Sequence, residues 1–289
     1  MERYRKKDKT YIIAEIGVNH DGSVEKAKQL IDLAKASGAD AVKFQCFRAE
    51  DIATVETPKV KYQLETTGHE QSHYEMLRTL ELSFEDNNLL INYCKNVDIA
   101  FISTPYSLAA VEQLERLGVS EYKIASADIV DIPLLKAVAA TGKPVILSLG
   151  MANLGEIERA LACFKEYAKT DIVLLHCVSN YPCSDSSLNL SVIKTLRTTF
   201  QLPVGFSDHS VGTVAALVSV ALGGSVVEKH FTSDKMSTGP DHRASSEPDE
   251  FKCLVNEIRR VEEQLGSPVK LVQTEELGMA LTSRKSLVF

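Results

Sequence analysis

The feature that most constrains the fold of this chain is a regular alternation of short apolar runs with longer amphipathic stretches. The apolar runs have the length of β-strands and the stretches between them have helical periodicity, which together predict βα units and a parallel sheet. The predicted strands lie near residues 11–16, 40–46, 98–103, 120–125, 144–148, 171–177, 203–206 and 225–230. The predicted helices lie near residues 23–37, 84–96, 107–117, 132–141, 153–168, 188–199, 210–222 and 247–264.

The number of these units predicts the fold class. Eight βα units within 289 residues match the count and size of a (β/α)8 TIM barrel. Helix-start signals agree, because Asp131 precedes Pro133 and Glu247 precedes Pro248. A doubly wound open sheet is the alternative, but it usually has fewer strands, and no GxGxxG motif follows a predicted strand. We therefore predict an α/β fold with one catalytic TIM barrel over residues 1–280.

Charge and composition narrow the class of protein. The net charge is −7 and the one basic run is the ERYRKK segment near the N-terminus, so nucleic acid is not expected as a partner. No apolar run approaches the roughly 18 residues of a membrane span, so no membrane partner is expected. The 6 cysteines include no CxxC pair, which is typical of reduced structural residues. These features predict a cytoplasmic metabolic protein.

Residues 48–82 break the alternation. This insertion after the second predicted strand has only weak helical periodicity and is long for a βα loop. Long loops in compact domains often cover functional sites, so we expect this one to act as a lid.

Polar side chains stand at the C-terminal end of every predicted strand, which is the end where TIM-barrel sites are built. They are Glu15, Lys43, Gln45, Ser103, Thr104, Lys123, Ser126, Ser148, His176, Ser207, Asp208, His209, Glu228 and His230. A random distribution would place such residues at both ends, so we predict a single site here. The strongest sequence evidence for this site is the segment 224–243, where charged residues interrupt an apolar strand. Buried polar groups are costly unless they are paired or bind a ligand, so these residues are expected to have a function.

Two imidazoles at neighbouring strand ends, His209 and His230, predict a divalent metal site with Glu228 beside it. A set of two histidines leaves coordination positions open for substrate. The structural alternative is that both rings serve as helix caps or as hydrogen-bonding residues in the core.

Two lysines, Lys43 and Lys123, predict an anion pocket at the same barrel end. Hydroxyl side chains from four neighbouring strand ends would line this pocket and suit a phosphate or a carboxylate; these are Thr104, Ser126, Ser148 and Ser207. The alternative is that the lysines extend to solvent over packed aliphatic stems. Glu15, beside these cations, is predicted to act on a substrate hydroxyl or proton, although it would also suit a loop brace.

The motifs at these strand ends resemble a known family. They are AEIGVNHDGS, AVKFQ, FISTPY, YKIAS, ILSLGMA, LLHCVSNYP, GFSDHS and VVEKHFTSDKMSTGPDHRAS. In order and spacing they are similar to the sialic acid synthase family, whose members condense phosphoenolpyruvate with an N-acetylated hexosamine. The resemblance covers nearly the whole chain and implies a TIM barrel, in agreement with the periodicity.

The resemblance also implies roles for individual residues. The family's metal ligands match His209 and His230, which implies Mn2+ or Mg2+. Its phosphoenolpyruvate pocket matches Lys43, Thr104, Lys123, Ser126, Ser148, Ser207 and Lys285. Its sugar contacts and acid–base groups match Glu15, Gln45, Tyr181, Glu228 and Asp241.

Three departures from the family pattern stand out. Asp128 occupies a substrate-binding position that is commonly Glu, and Ser179 stands where the family often has Asn. Family members continue into a small C-terminal antifreeze-like domain and form homodimers in which that domain lends an arginine to the partner's site. Residues 281–289 are therefore expected to begin a linker to a domain that this chain does not contain.

These implications lead to an expected reaction and two alternatives. The expected reaction joins phosphoenolpyruvate, N-acetylmannosamine and water to give N-acetylneuraminate and phosphate, with a divalent metal. The enzyme alternative is a legionaminate synthase acting on a 2,4-diacetamido-2,4,6-trideoxy-mannose, because one or two pocket residues suffice to distinguish an acetamido group from a hydroxyl. The other alternative is a barrel that binds ligands but is inactive without its capping domain.

Overall fold

The computed structural model describes residues 4, 9–59, 61–68, 70–167 and 171–285. Eight parallel strands close into a barrel in chain order, which confirms the predicted TIM barrel and excludes the open sheet. The strands are β1 (Tyr11–Gly17), β2 (Ala41–Cys46), β3 (Ala100–Pro105), β4 (Tyr122–Ile124), β5 (Val145–Ser148), β6 (Ile172–His176), β7 (Val204–Asp208) and β8 (Val226–His230).

Helices follow the strands, and most of them cover the outside of the barrel. They span Val24–Ala36, Ala49–Ile52, Lys61–Thr67, His73–Thr79, Phe84–Asn96, Leu108–Leu117, Ile132–Ala140, Leu154–Lys165, Val192–Phe200, Val214–Ala221, Pro248–Leu265 and Leu277–Ser283. Short 3-10 turns lie at Ser126–Val130, Asp185–Ser187, His242–Ala244 and Thr274–Glu276. Every predicted helix is present, with ends that differ from the predicted ones by a few residues.

The residues predicted to start helices cap them in the structure. The Asp131 carboxylate accepts a hydrogen bond from the Leu134 amide at 3.0 Å and caps the helix Ile132–Ala140. Glu247 and Glu250 form a reciprocal capping arrangement at the start of Pro248–Leu265. The helix predicted from residue 210 begins later, at Val214, because the Asp208 carboxylate accepts hydrogen bonds from the amide and hydroxyl of Ser210 at 2.8 and 2.6 Å.

Strand periodicity sorts the side chains between two apolar layers. Alternate strand residues fill the inside of the barrel, where a small cluster contains Ile13, Ala41, Ile102, Ile146, Val173, Leu175 and Val226. The residues between them face the helices and join the main core. Glu15 lies two residues after Ile13, and Lys43 two residues after Ala41, so the same period directs both into the barrel mouth.

The insertion forms three short helices over the barrel mouth rather than an irregular loop. A separate apolar cluster joins these helices to the loops after β1 and β2. Its buried members are Val18, Phe47, Ala49, Ala53, Met76, Leu77 and Leu80. This packing places the insertion where a lid would lie.

The covering helices of the barrel end with Leu265, earlier than the predicted boundary at residue 280. The described residues after it, 266–285, are almost all exposed. The terminal SLVF run of the expected linker lies outside the described residues. Among the helices that the structure describes, none combines the length and apolarity needed to span a bilayer.

Candidate active site

A cavity of about 910 Å³ opens at the C-terminal mouth of the barrel, where the sequence predicted a site. It brings together most of the predicted residues: Glu15, Lys43, Gln45, Thr104, Lys123, Ser126, Ser148, Tyr181, Ser207, His209, Glu228, His230 and Asp241. Another cavity, of about 1020 Å³, lies at the N-terminal ends of the strands. None of the predicted site residues lines this second cavity, so we place the candidate active site at the mouth.

Two buried lysines and two buried carboxylates alternate across the floor of this cavity. Lys43 Nζ lies 2.7 Å from Glu15 Oε2 and 3.9 Å from Glu228 Oε2. Lys123 Nζ lies 3.9 Å from the other oxygen of Glu228 and donates hydrogen bonds to the Ser148 hydroxyl and to the Ile124 carbonyl. The floor therefore offers cations and carboxylates to a substrate within a few ångströms of one another.

Burial and the charges of neighbouring groups shift the pKa values of these lysines and carboxyl groups, some upward and some downward. Burial disfavours the charged form of Lys43, but the carboxylates of Glu15 and Glu228 outweigh it and raise the pKa of this lysine. Burial lowers the pKa of Lys123 and raises the pKa of Glu15. Burial also opposes charge on Glu228, yet Lys123 and Lys43 lower its pKa overall. The two carboxyl groups thus have pKa values that are pushed apart, as in many acid–base sites.

The hydroxyl groups fix the rest of the floor. Lys43 Nζ donates to Thr104 Oγ1 at 3.4 Å, and Ser207 Oγ donates to Glu228 Oε1 at 2.9 Å. Ser126 Oγ accepts a hydrogen bond from the Gly150 amide at 3.0 Å. A Cβ atom at Gly150 would lie 2.2 Å from Ser179 Oγ and 2.8 Å from Ser126 Oγ, so a larger residue here would displace these hydroxyls.

The two predicted metal ligands lie side by side, with ring centroids 5.7 Å apart. His209 Nδ1 donates to the Val178 carbonyl at 2.7 Å, so Nε2 carries the lone pair in the neutral ring. Ser207 lies 3.3 Å from that Nε2 but donates its proton to Glu228. Nε2 of His209 is therefore free to bind a cation.

His230 completes this pair. Its Nδ1 makes no hydrogen bond within the described part of the chain and lies 3.8 Å from Asp241 Oδ2. Burial lowers the pKa of both imidazoles, which favours the neutral form that binds metals. The residues present thus fit a divalent metal, with the outward nitrogen of His209 oriented by a carbonyl in the usual manner. Among the described residues no third His, Cys, Asp or Glu lies close enough to join them, so substrate and water would fill the other positions.

Tyr181 covers the histidine pair from the sixth loop. Its ring centroid lies 4.1 Å from that of His209 and 5.4 Å from that of His230. Asp241 has its pKa raised to about 6 by burial. Gln45 donates to Glu15 Oε1 at 3.2 Å and links this carboxylate to the second strand.

Five predicted residues lie outside the cavity lining. Ser103, His176 and Asp208 are three of them, and Asp128 and Lys285 are the other two. Asp128 lies half-buried in the turn after β4, and Lys285 is exposed in the C-terminal segment. Burial and the neighbouring Asp131 raise the pKa of Asp128 to about 6, with Lys123 acting against them. The roles expected for Asp128 and Lys285 stay predictions.

The cavity also contains residues that sequence reasoning missed. The insertion contributes Gln63, His73, Met76, Leu77 and Leu80, and the loop after β3 contributes Tyr106. Apolar residues at 76, 77 and 80 have helical spacing, which was the available signal. Nothing in the sequence showed that this face packs over the mouth.

A closed (β/α)8 barrel with buried lysines, carboxylates and imidazoles at its C-terminal mouth has the architecture of a TIM-barrel enzyme that handles an anionic substrate. Comparison with known proteins gives the family. Residues 30–270 match the model of the NeuB family, and the chain belongs to this family of sialic acid synthases.

Characterised relatives span several sugar types. The chain is 45% identical to the N,N'-diacetyllegionaminic acid synthase of Campylobacter jejuni, over 97% of this chain and 84% of that protein. It is 37% identical to the N-acetylneuraminate-9-phosphate synthase of Drosophila melanogaster, over 87% of this chain and 68% of that protein. The crystal structure of N-acetylneuraminic acid synthetase from Leptospira borgpetersenii superposes with a TM-score of 0.84 at 36% identity, covering 96% of this chain and 92% of that one.

Proposed function

We propose that this chain condenses phosphoenolpyruvate with an N-acetylated hexosamine and water to give a nine-carbon 2-keto-3-deoxy acid and phosphate. The observation that carries the proposal is the buried floor of the cavity, where Lys43 and Lys123 lie among hydroxyls and carboxylates. Phosphoenolpyruvate has a phosphate and a carboxylate, and two lysines with hydroxyl donors suit both. Synthases of this family that act on different amino sugars are among the relatives.

In the proposed reaction, carbon 3 of phosphoenolpyruvate attacks the aldehyde carbon of the open-chain sugar and forms the new C–C bond. Water adds at carbon 2, and phosphate leaves with the former bridging oxygen, so the C–O bond breaks and the P–O bond does not. Lys43 and Lys123 hold the negative charges of the substrate. Glu15 lies next to Lys43, and Glu228 lies next to both lysines. Both carboxyl groups are thereby placed to move protons to and from the sugar and the attacking water.

His209 and His230 would hold the divalent metal, Mn2+ or Mg2+. A bound metal supplies a Lewis acid that polarises the sugar carbonyl and stabilises negative charge on its oxygen. Tyr181 packs against both rings. The Val178 carbonyl fixes the orientation of His209 whether or not the metal is bound.

The sugar is the finer part of the proposal. The motifs favoured N-acetylmannosamine, but the lid side of the cavity adds the apolar residues Val18, Met76, Leu77 and Leu80. A 2,4-diacetamido-2,4,6-trideoxy-mannose has an additional acetyl methyl and a C6 methyl that such a wall would cover. Relatives named legionaminic acid synthases are 45% and 43% identical to this chain. We therefore favour the diacetamido sugar over N-acetylmannosamine.

Phosphate release from phosphoenolpyruvate tests the proposal. The assay compares the two sugars with Mn2+, and with chelator in its place, using phosphoenolpyruvate labelled with 18O at the bridging oxygen. We expect metal-dependent release, faster with the diacetamido sugar, and the label in the phosphate. Release of unlabelled phosphate would contradict C–O cleavage, and equal or faster turnover of N-acetylmannosamine would contradict the choice of sugar.

A barrel that binds ligands without turnover is the second candidate. It is favoured by the position of Lys285, which lies on an exposed segment and contributes nothing to the cavity. Saturable binding of phosphoenolpyruvate without phosphate release, in a chain that is folded by circular dichroism, would support this candidate.

A further inference from the structure

The loop after β8 holds Asp241 in the cavity although the loop has almost no regular structure of its own. Its base is closed by a hydrogen bond from the Ser246 amide to the His230 carbonyl at 2.8 Å and from the Thr232 amide to the Ser246 carbonyl at 3.0 Å. Between these points lies only the 3-10 turn His242–Ala244. Some other interaction must therefore fix the position of Asp241.

The side chain that follows Asp241 supplies one such interaction. His242 is fully buried, and both of its ring nitrogens have partners. Nε2 lies 3.1 Å from Asp21 Oδ1, and Nδ1 lies 2.7 Å from the Thr232 hydroxyl. Because a carboxylate only accepts, Nε2 donates to Asp21, while Nδ1 is hydrogen-bonded to the Thr232 hydroxyl, which also donates to the Asp234 carbonyl at 3.2 Å. One imidazole thus joins the loop after β8 to the loop after β1.

A second bridge joins the same two loops. Asn19, also fully buried, donates to the Phe231 carbonyl at 2.9 Å and to the Ser245 hydroxyl at 2.8 Å. Ser245 in turn donates to the carbonyl oxygen of Asp241 at 2.7 Å. The backbone at Asp241 is therefore held at its own carbonyl and at the next residue.

The packing leaves little room for another arrangement. A Cβ atom at Gly239 would lie 2.7 Å from His242 Cδ2, so the chain before Asp241 rests directly on the imidazole. Asp241 itself lies 3.8 Å from His230, with its side chain 12% exposed.

We propose that these bridges form a clasp whose function is to position Asp241 toward the sugar, with His242 as the central positioning residue. The clasp comprises Asn19, Asp21, Thr232, His242 and Ser245. None of these side chains lines the cavity, so each acts through Asp241 and not on the substrate directly. This role rests on the proposed function and on the sugar or acid–base role that the family resemblance implies for Asp241.

The test is a set of double-mutant cycles with Asp241→Asn. Thr232→Val removes one hydroxyl at constant shape, and His242→Gln removes the bridge. His176→Gln is the matched control, because it removes a half-buried imidazole that bonds the Leu188 carbonyl outside the cavity. Each variant is assayed for kcat/KM with the sugar and for KM with phosphoenolpyruvate, and its Tm is measured.

We expect Thr232→Val and His242→Gln to lower kcat/KM for the sugar about 10-fold to 100-fold, since small displacements of positioned groups cost this much. The KM for phosphoenolpyruvate should stay within about two-fold of wild type, because the displaced group is positioned toward the sugar and not toward phosphoenolpyruvate. In the Asp241→Asn background neither change should lower kcat/KM further, because the group being positioned is already lost.

Two results would overturn the clasp while leaving the proposed reaction intact. One is wild-type kcat/KM in Thr232→Val, and the other is a full, multiplicative loss when either change is combined with Asp241→Asn. If His242→Gln fails to fold, the isosteric Thr232→Val decides alone. A wild-type chain that releases no phosphate would refute the proposed function, and this role of the clasp with it.

Discussion

The ion pair between Lys229 and Asp208 gives the sharpest stability prediction. It lies on the outer side of the barrel, where Lys229 Nζ is 2.8 Å from Asp208 Oδ2 and the two side chains are 4% and 0% exposed. Lys229 also donates to the Ser210 carbonyl at 2.9 Å. Replacing Lys229 with Met keeps the aliphatic stem but leaves the Asp208 carboxylate buried without its cation. Removing one partner of a buried pair costs about 3 to 5 kcal/mol.

Urea denaturation followed by circular dichroism measures this cost as a change in the free energy of unfolding. With an unfolding entropy of about 2.1 cal/mol/K per residue, a chain of 289 residues should lose about 5 to 8 °C in Tm. The matched double variant Asp208→Asn with Lys229→Met removes both charges and should recover most of the loss. A loss below about 1 kcal/mol in Lys229→Met, or a double variant less stable than that single one, would refute the reasoning.

Three further predictions concern the cavity and the turn beside it. Lys123→Met should lower kcat/KM for phosphoenolpyruvate by about two to three orders of magnitude in the phosphate-release assay, because one charge-assisted contact to this substrate is lost. The KM for the sugar should change little. An equal loss for both substrates would contradict a specific contact of Lys123 with the phosphate or the carboxylate. His230→Ala should abolish Mn2+ binding in isothermal titration calorimetry and leave the circular dichroism spectrum unchanged, and undiminished binding would exclude His230 as a ligand. Burial raises the folded-state pKa of Asp128 from 3.8 to about 6, so its contribution to stability is present below about pH 4 and is lost as pH rises through about 6. Because this carboxyl is only half-buried, we expect Asp128→Asn to raise the free energy of unfolding in urea by about 1 kcal/mol over wild type at pH 7.5 and to leave it unchanged at pH 4. A stabilisation at pH 4 alone would contradict the direction of the pKa shift.

The barrel and its mouth were predictable because both follow from the two-residue period with which side chains alternate along a strand. Ile13 and Glu15 lie on the same side of β1, so a sequence that buries the first inside the barrel also directs the second into the mouth. The apolar runs predicted the number of strands, and polar residues stand at or close to the end of each run. Local patterns of this kind do not depend on contacts between distant parts of the chain.

The sequence predicted a lid from the length of the insertion, but the lid residues that enter the cavity and the residues of the clasp depend on such contacts, which is why the sequence did not reveal them. His73 and Met76 reach the cavity only because their short helix packs on Val18 and Phe47 from other loops. His242 meets Asp21 across 221 positions of the chain. A histidine in a GPDHR segment has no local signal that assigns it to the cavity or to the support beneath it.

The end of β7 and the end of β8 show how one register serves both stability and the site. Asp208 and Lys229 are Cα partners in the sheet, as are Ser207 and Glu228. A slip of one residue would turn the imidazole of His230 outward and the ammonium of Lys229 into the barrel. The buried pair on the outer face forms in the register that places Ser207 opposite Glu228 inside. We infer that the charges of Asp208 and Lys229 specify this register, so the outer face of the two strands determines the geometry of the candidate active site on the inner face.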